Sequence, residues 1–225
     1  TFIPVAEACG LIVPLGDWVL AEGCRQARVW LEAGRPVVVA VNISVIQFRA
    51  ANFVDKVRDA LAAVNLPAHL LELEVTESVV MDGASTVATT LAALRELGVH
   101  LSIDDFGTGY SSLAYLRRFP IDKLKIDQSF VREMLHDPDA AAITQAVVSL
   151  AKSLRLQVIA EGVETQEQAA FLATIGCDEA QGWLYAKAMP PAEFDAWLSK
   201  RPYGPVRSVS AEGTPITSSR TVKPS

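Results

Sequence analysis

Six times along the chain, a short apolar run of β type ends in a polar residue: Asn42, Glu74, Asp104 with Asp105, Lys125 with Asp127, Glu161 and Gln181. From Asn42 the successive gaps are 32, 30, 21, 36 and 20 residues, lengths that suit one strand-helix unit each. The polar residues therefore recur at equivalent places in a repeating βα architecture. In a parallel barrel such places converge on one face. Carboxylates gathered in a poorly solvated mouth raise one another's pKa unless divalent cations or a cationic side chain compensate them. The pattern points to a metal-dependent active site.

Composition narrows the class. A chain of 225 residues with 50% apolar and 20% charged content buries one substantial core, as expected of one soluble α/β domain. The longest apolar stretch, Val37 to Ile46, is broken by Asn42 and Ser44 and is far short of the roughly 20 residues of a spanning helix. No membrane contact by this segment is expected, and the absence of a leader pattern at the start predicts a cytoplasmic setting. A formal net charge of -6 argues against binding a nucleic-acid polymer, which calls for a basic face. Cys9, Cys24 and Cys177 lack the close pairing of a zinc or redox site and read as packed or half-exposed thiols.

Strands are predicted over Val37 to Ile43, Leu70 to Val75, Val99 to Ile103, Lys123 to Ile126, Gln157 to Ala160 and Glu179 to Gly182. Helices are predicted over Asp17 to Glu32, Ala51 to Ala63, Gly83 to Leu97, Ser111 to Arg118, Ala140 to Leu154, Gln166 to Ile175 and Ala192 to Leu198. Gly98 and Gly176 stand where helices stop, and Thr165 stands as an N-cap. Trp18, Trp30 and Trp197 fall on helical apolar faces and are expected in the core. After Lys200 the composition turns to Ser, Thr, Pro and Gly, so residues 201–225 are expected to be a disordered tail after a domain spanning 1–200.

The most specific stretch is Ser-Ile-Asp-Asp-Phe-Gly-Thr-Gly-Tyr-Ser-Ser at 102 to 112. Adjacent aspartates at a strand end suit two cations, with Asp104 bridging and Asp105 reaching one of them, although a helix-capping turn uses the same residue types. Together with Phe-Ile-Pro-Val-Ala-Glu at 2 to 7, Val-Asn-Ile-Ser at 41 to 44, Glu-Val-Thr-Glu at 74 to 77, Leu-Lys-Ile-Asp at 124 to 127, Ala-Glu-Gly-Val-Glu at 160 to 164 and Gln-Gly-Trp at 181 to 183, it makes the chain resemble the EAL domain. That family is a bacterial phosphodiesterase module that hydrolyses cyclic di-GMP, and the resemblance runs from Thr1 to about Leu198.

The resemblance implies a TIM-like (β/α)8 barrel and metal-dependent conversion of cyclic di-GMP to linear pGpG in second-messenger signalling. It implies Asn42, Glu74, Asp104 and Asp105 as oxygen ligands for Mg²⁺ or Mn²⁺ at a two-metal site. Lys125 would contact the reacting phosphate or the attacking water, with Asp127 orienting it. Glu161 would be the general base or a further ligand. Glu164 and Gln181 would support the site or touch substrate, and structural roles suit them equally. Glu77 would anchor the loop of the double aspartate, Phe106 to Ser112, which in the family lies near a homodimer contact. Upstream regulatory domains such as GGDEF or PAS are implied in the parent protein. The namesake Glu-Ala-Leu motif lies upstream of the Phe-Ile-Pro segment in the family and is absent here, so the expectation is an N-terminally incomplete piece, with about the first two strands missing. A catalytically inactive receptor for cyclic di-GMP or a protein partner is the alternative.

Overall fold

The computed structural model describes residues 2–81, 84–109 and 116–200. Six strands form one parallel sheet in chain order: β1 (Val39–Ile43), β2 (Leu71–Thr76), β3 (His100–Phe106), β4 (Lys123–Ile126), β5 (Gln157–Ala160) and β6 (Glu179–Ala180). Around them lie α1 (Ile3–Ala8), α2 (Ile12–Glu32), α3 (Val45–Phe48), α4 (Phe53–Ala63), α5 (Glu77–Met81), α6 (Ala84–Leu97), α7 (Gln128–Glu133), α8 (Pro138–Leu154), α9 (Gln166–Ile175) and α10 (Pro191–Ser199). Parallel neighbours need long crossovers, which α4, α6, α8 and α9 supply. The result is a TIM-like α/β fold.

Strand periodicity assigns the two faces. Leu71, Leu73, Leu101, Ile103, Leu124, Ile126 and Val158 are fully buried in one core with Leu91, Leu94, Val147 and Val148 of the crossover helices. The alternate residues Glu72, Glu74, Lys123 and Lys125 instead line a cavity on the inner side of the sheet, about 370 Å³ in volume. Burying apolar side chains at about 25 cal/mol per Å² is what holds the helices against the strands.

The helix boundaries obey the local signals. Thr165 makes a full capping box with Gln168 at the start of α9. Gly98 and Gly176 take the left-handed backbone just after α6 and α9, with φ of 89° and 81°. Asn52, Asp137 and Pro190 precede α4, α8 and α10, so these helices start within two residues of their expected first positions. The chain also forms α1, α3, α5 and α7, each six residues or fewer, too short to show a 3.6-residue apolar period in sequence.

Trp18 corrects its expected place: the buried stripe of α2 runs through Ile12, Gly16, Leu20, Cys24, Ala27 and Trp30, and Trp18 lies off it, 63% exposed. Trp30 is buried and donates from Nε1 to Asp195 at 2.6 Å, tying α2 to α10. Cys24 is buried, Cys177 half-buried and Cys9 exposed, all free thiols, and burial pushes both Cys24 and Cys177 up to about 11. No described helix is long and apolar enough to cross a membrane. The tail at 201–225 and most of the helix expected over 111–118 lie outside the described residues.

Candidate active site

Three of the strand-end carboxylates meet around one amine, while Asn42 on β1 is exposed. Lys125 near the end of β4 is 3% exposed, and its Nζ lies 2.7 Å from Glu74 Oε2, 3.0 Å from Asp104 Oδ1 and 2.5 Å from Glu161 Oε1. Parallel pairing explains the convergence, since residues at the same level on neighbouring strands stand side by side: Asn42 is in register with Glu74, and Lys125 with Ile159. Glu161 sits one residue beyond β5, and its backbone N–H donates to Ile126 O at 3.2 Å. Gln181, one residue beyond β6, donates from Nε2 to Glu161 Oε1 at 2.6 Å.

Two consecutive strand residues normally face opposite sides of a sheet, so Asp104 and Asp105 need a local distortion to serve one site. The structure supplies it. The β3–β4 pairing runs Ser102 to Lys123 and Ile103 to Leu124, then slips so that Phe106 pairs with Ile126. Asp105 at this bulge has φ +54°, the left-handed region that an Asp enters only at a cost. With this turn, carboxylate oxygens of Asp104, Asp105 and Glu161 lie within 4.8 Å of one another. Strain held beside a cluster of titratable groups is a mark of functional geometry.

The loop that follows is pinned from β2's side. Glu77, 6% exposed at the start of α5, accepts from Gly107 N–H at 3.1 Å through Oε2. Gly107 has φ +102°, and a Cβ there would stand 3.1 Å from the Phe130 ring. Glu77 thus touches this loop at Gly107, while Tyr110, Ser111 and Ser112 of the loop lie outside the described residues.

The charges are strongly coupled. Burial alone opposes ionisation of Lys125, yet its hydrogen bonds to Glu161 and Glu74 and their charges hold the ammonium well above its ordinary value. Burial raises Glu74 and Glu161, the Lys125 ammonium offsets only part of this, and the charge of Asp104 adds to it. Asp105 is raised by burial, by the Asp104 charge and by its hydrogen bond with Asp127. Lys125 is therefore one cation facing a larger acidic set, a donor group of hard carboxylate oxygens that fits divalent cations such as Mg²⁺ or Mn²⁺.

Asp127, which the resemblance has orienting Lys125, is hydrogen-bonded with Ser129 and Asp105. It lies beyond the end of β4, where its backbone turns into α7, and its Oδ1 accepts from Ser129 N–H at 2.9 Å as an N-cap. Against the raising effect of burial, the Ser129 bonds hold the Asp127 carboxyl below its usual value. It reaches the site through Asp105 instead. Glu164 is exposed, and its backbone N–H donates to Gln168 Oε1 at 2.8 Å. The structure does not bring its carboxylate into the Lys125 cluster among the described contacts.

A second charged layer lies below the first. Lys123 Nζ is 3.1 Å from Glu72 Oε2 and 3.1 Å from Glu179 Oε2, joining β2, β4 and β6 across the cavity. None of these three is the last polar residue of its run, the place from which the candidate site residues were expected. The signal was available: Glu72, Lys123 and Glu179 each precede a site residue by two positions, the strand period.

Comparison with known proteins agrees with this geometry. The family model "EAL domain" matches residues 1–188. The chain is 51% identical over 195 residues to the bifunctional diguanylate cyclase/cyclic di-GMP phosphodiesterase MucR of Pseudomonas aeruginosa, covering 86% of this chain and 28% of MucR. It is 48% identical over 198 residues to the cyclic di-GMP phosphodiesterase NbdA of the same organism, covering 88% of this chain and 25% of NbdA. The chain thus spans about a quarter of the length of these curated relatives. Among solved structures, the MucR phosphodiesterase in complex with c-di-GMP superposes with a TM-score of 0.84 at 49% identity, covering 86% of this chain and 78% of that one.

Proposed function

Because the chain belongs to the EAL domain family, we propose that it carries the catalytic centre of a metal-dependent phosphodiesterase that opens cyclic di-GMP to linear pGpG. The observation that carries the reading is the convergence of Glu74, Asp104 and Glu161 on the buried Lys125, with Asp105 turned into the same cluster by the bulge.

Asn42, Glu74, Asp104 and Asp105 would hold Mg²⁺ or Mn²⁺, which when bound activate a water and neutralise the charge of the phosphodiester. Glu161 Oε1 is taken by two donors, Lys125 and Gln181, which leaves Oε2 to receive the proton of the attacking water. Lys125 keeps its proton at any working pH and so acts as a fixed positive charge for a phosphate oxygen rather than as a base. Water oxygen bonds to phosphorus, the bond to one ribose O3′ breaks, and that oxygen leaves as a hydroxyl after taking a proton from solvent, while the proton held on Glu161 returns to solvent. Glu77 and Gly107 hold the Asp105 loop in place while this occurs. A cytoplasmic setting, a homodimer and attached regulatory domains such as GGDEF or PAS complete the proposal; the greater length of the relatives supports the attached domains.

Hydrolysis of cyclic di-GMP followed by chromatography tests the reading. Asp104→Ala and Glu74→Ala should each abolish pGpG formation at saturating Mg²⁺, and retention of most of the rate in either would refute the ligand assignment. Binding of cyclic di-GMP in EDTA, with no hydrolysis on adding Mg²⁺ or Mn²⁺, would instead identify a receptor.

A further inference from the structure

The segment after β6 is fastened to the loop that follows Glu161. Gln181 N–H donates to Ala160 O at 2.9 Å, Val163 N–H to Gln181 O at 3.0 Å, and Leu184 N–H to Val163 O at 3.0 Å. Gly182 lies so close to this loop that a Cβ would stand 2.2 Å from Val163 O. Residues 181 to 184 therefore share one rigid frame with Glu161 at the C-terminal face of the sheet, where parallel barrels bind their ligands.

Trp183 stands in the middle of this frame, and 64% of it is exposed. A turn closed by Tyr185 N–H and Ala186 N–H on Gly182 O, at 3.0 and 3.2 Å, brings Lys187 back over it, with Nζ 4.9 Å from the ring centroid. Leu184, its neighbour, packs on the core. The chain thus presents a large indole to solvent on a backbone fastened by these hydrogen bonds, with an ammonium on one ring face. An aromatic side chain held this way loses little conformational freedom when it binds, and a flat π-surface with a cation beside it suits a nucleobase whose phosphate lies close by.

We propose that Trp183 is a stacking platform for a guanine of the cyclic dinucleotide, with Lys187 holding the ring and adding positive charge at the rim of the mouth. This rests on the reading of the site as one for cyclic di-GMP, and it adds a residue that sets affinity for the base rather than one that touches the reacting atoms. Trp183 follows by two residues Gln181, which touches Glu161 and lines the cavity, and is not itself one of the cavity's lining residues.

The test compares Trp183→Ala and Trp183→Phe by steady-state hydrolysis, and by equilibrium dialysis with cyclic di-GMP in an Asp104→Ala background that blocks turnover. Loss of one base stack predicts about a tenfold rise in KM and in Kd for Trp183→Ala, with kcat falling less than about threefold, while Trp183→Phe keeps most of the affinity. Trp183 is exposed, so its truncation should leave the fold intact, and an unchanged Tm checks this. Unchanged KM and Kd in Trp183→Ala would overturn the platform, as would an equal loss in Trp183→Phe. If the chain binds the nucleotide yet never hydrolyses it, the catalytic reading falls while the dialysis still decides the platform; if it binds none, both fall.

Discussion

Replacing Lys125 by Met, of similar length and no charge, isolates the role of the ammonium. The wild-type amine is 3% exposed and touches three carboxylates within 3.0 Å. Without it, Glu74, Asp104 and Glu161 are left facing one another in a site where burial already raises Glu74 and Glu161. Removing one partner from a buried ion cluster costs about 3–5 kcal/mol. For a domain of this size each kcal/mol shifts Tm by about 2–4 °C, so the melting temperature in EDTA should fall by roughly 6–20 °C. Millimolar Mn²⁺ should narrow the gap, because added cations bind the folded acidic site and supply the missing charge. Lowering the pH should narrow it too, since protonated carboxylates no longer repel. Circular-dichroism melts of both proteins, with and without Mn²⁺, provide the assay. A Lys125→Met protein that melts with the wild type in EDTA would refute the claim that this ammonium holds the cluster together.

Two further outcomes follow from the same geometry. Gly182→Ala should lower stability by about 1–3 kcal/mol, the usual cost of overpacking, because its Cβ would strike the Val163 backbone and φ there is +154°; an unchanged urea midpoint would contradict the close approach. Lys123 is titrated by its layer: burial lowers it, but the charges of Glu72 and Glu179 prevail and raise it above its ordinary 10.5. Stability from a raised lysine is fully present below the unfolded value and disappears as pH rises through the folded one. Lys123→Met should therefore be less stable than wild type at neutral pH, with the deficit shrinking as pH rises through the raised folded value of Lys123, and a deficit that stays constant in urea melts from neutral to strongly alkaline pH would exclude the linkage.

Much of the site was legible because the strand period and the strand-helix spacing are both properties of the chain itself. A polar residue that breaks an apolar run marks the inner face of its strand, so Glu74, Asp104 and Lys125, each within the last three residues of its strand, stood out without any knowledge of their partners. Thr165, Gly98 and Gly176 likewise act through backbone groups within a few residues. The placing of Asp127 was not legible: it was decided by Ser129, whose N–H at the start of α7 has no partner within the helix and donates to the Asp127 carboxylate.

The sequence by itself determined the alternation of strands and helices, the apolar faces that pack them and the level at which each polar side chain leaves the sheet, because these depend on local periodicity and local hydrogen bonding. Only the tertiary structure decided which charges meet. The slip between β3 and β4 that turns Asp105 toward Asp104, the choice of Glu74, Asp104 and Glu161 as partners of Lys125, and the lower layer of Glu72, Lys123 and Glu179 all depend on the register of strands far apart in the chain. Interactions between charges fall with distance in space and take no account of distance along the chain.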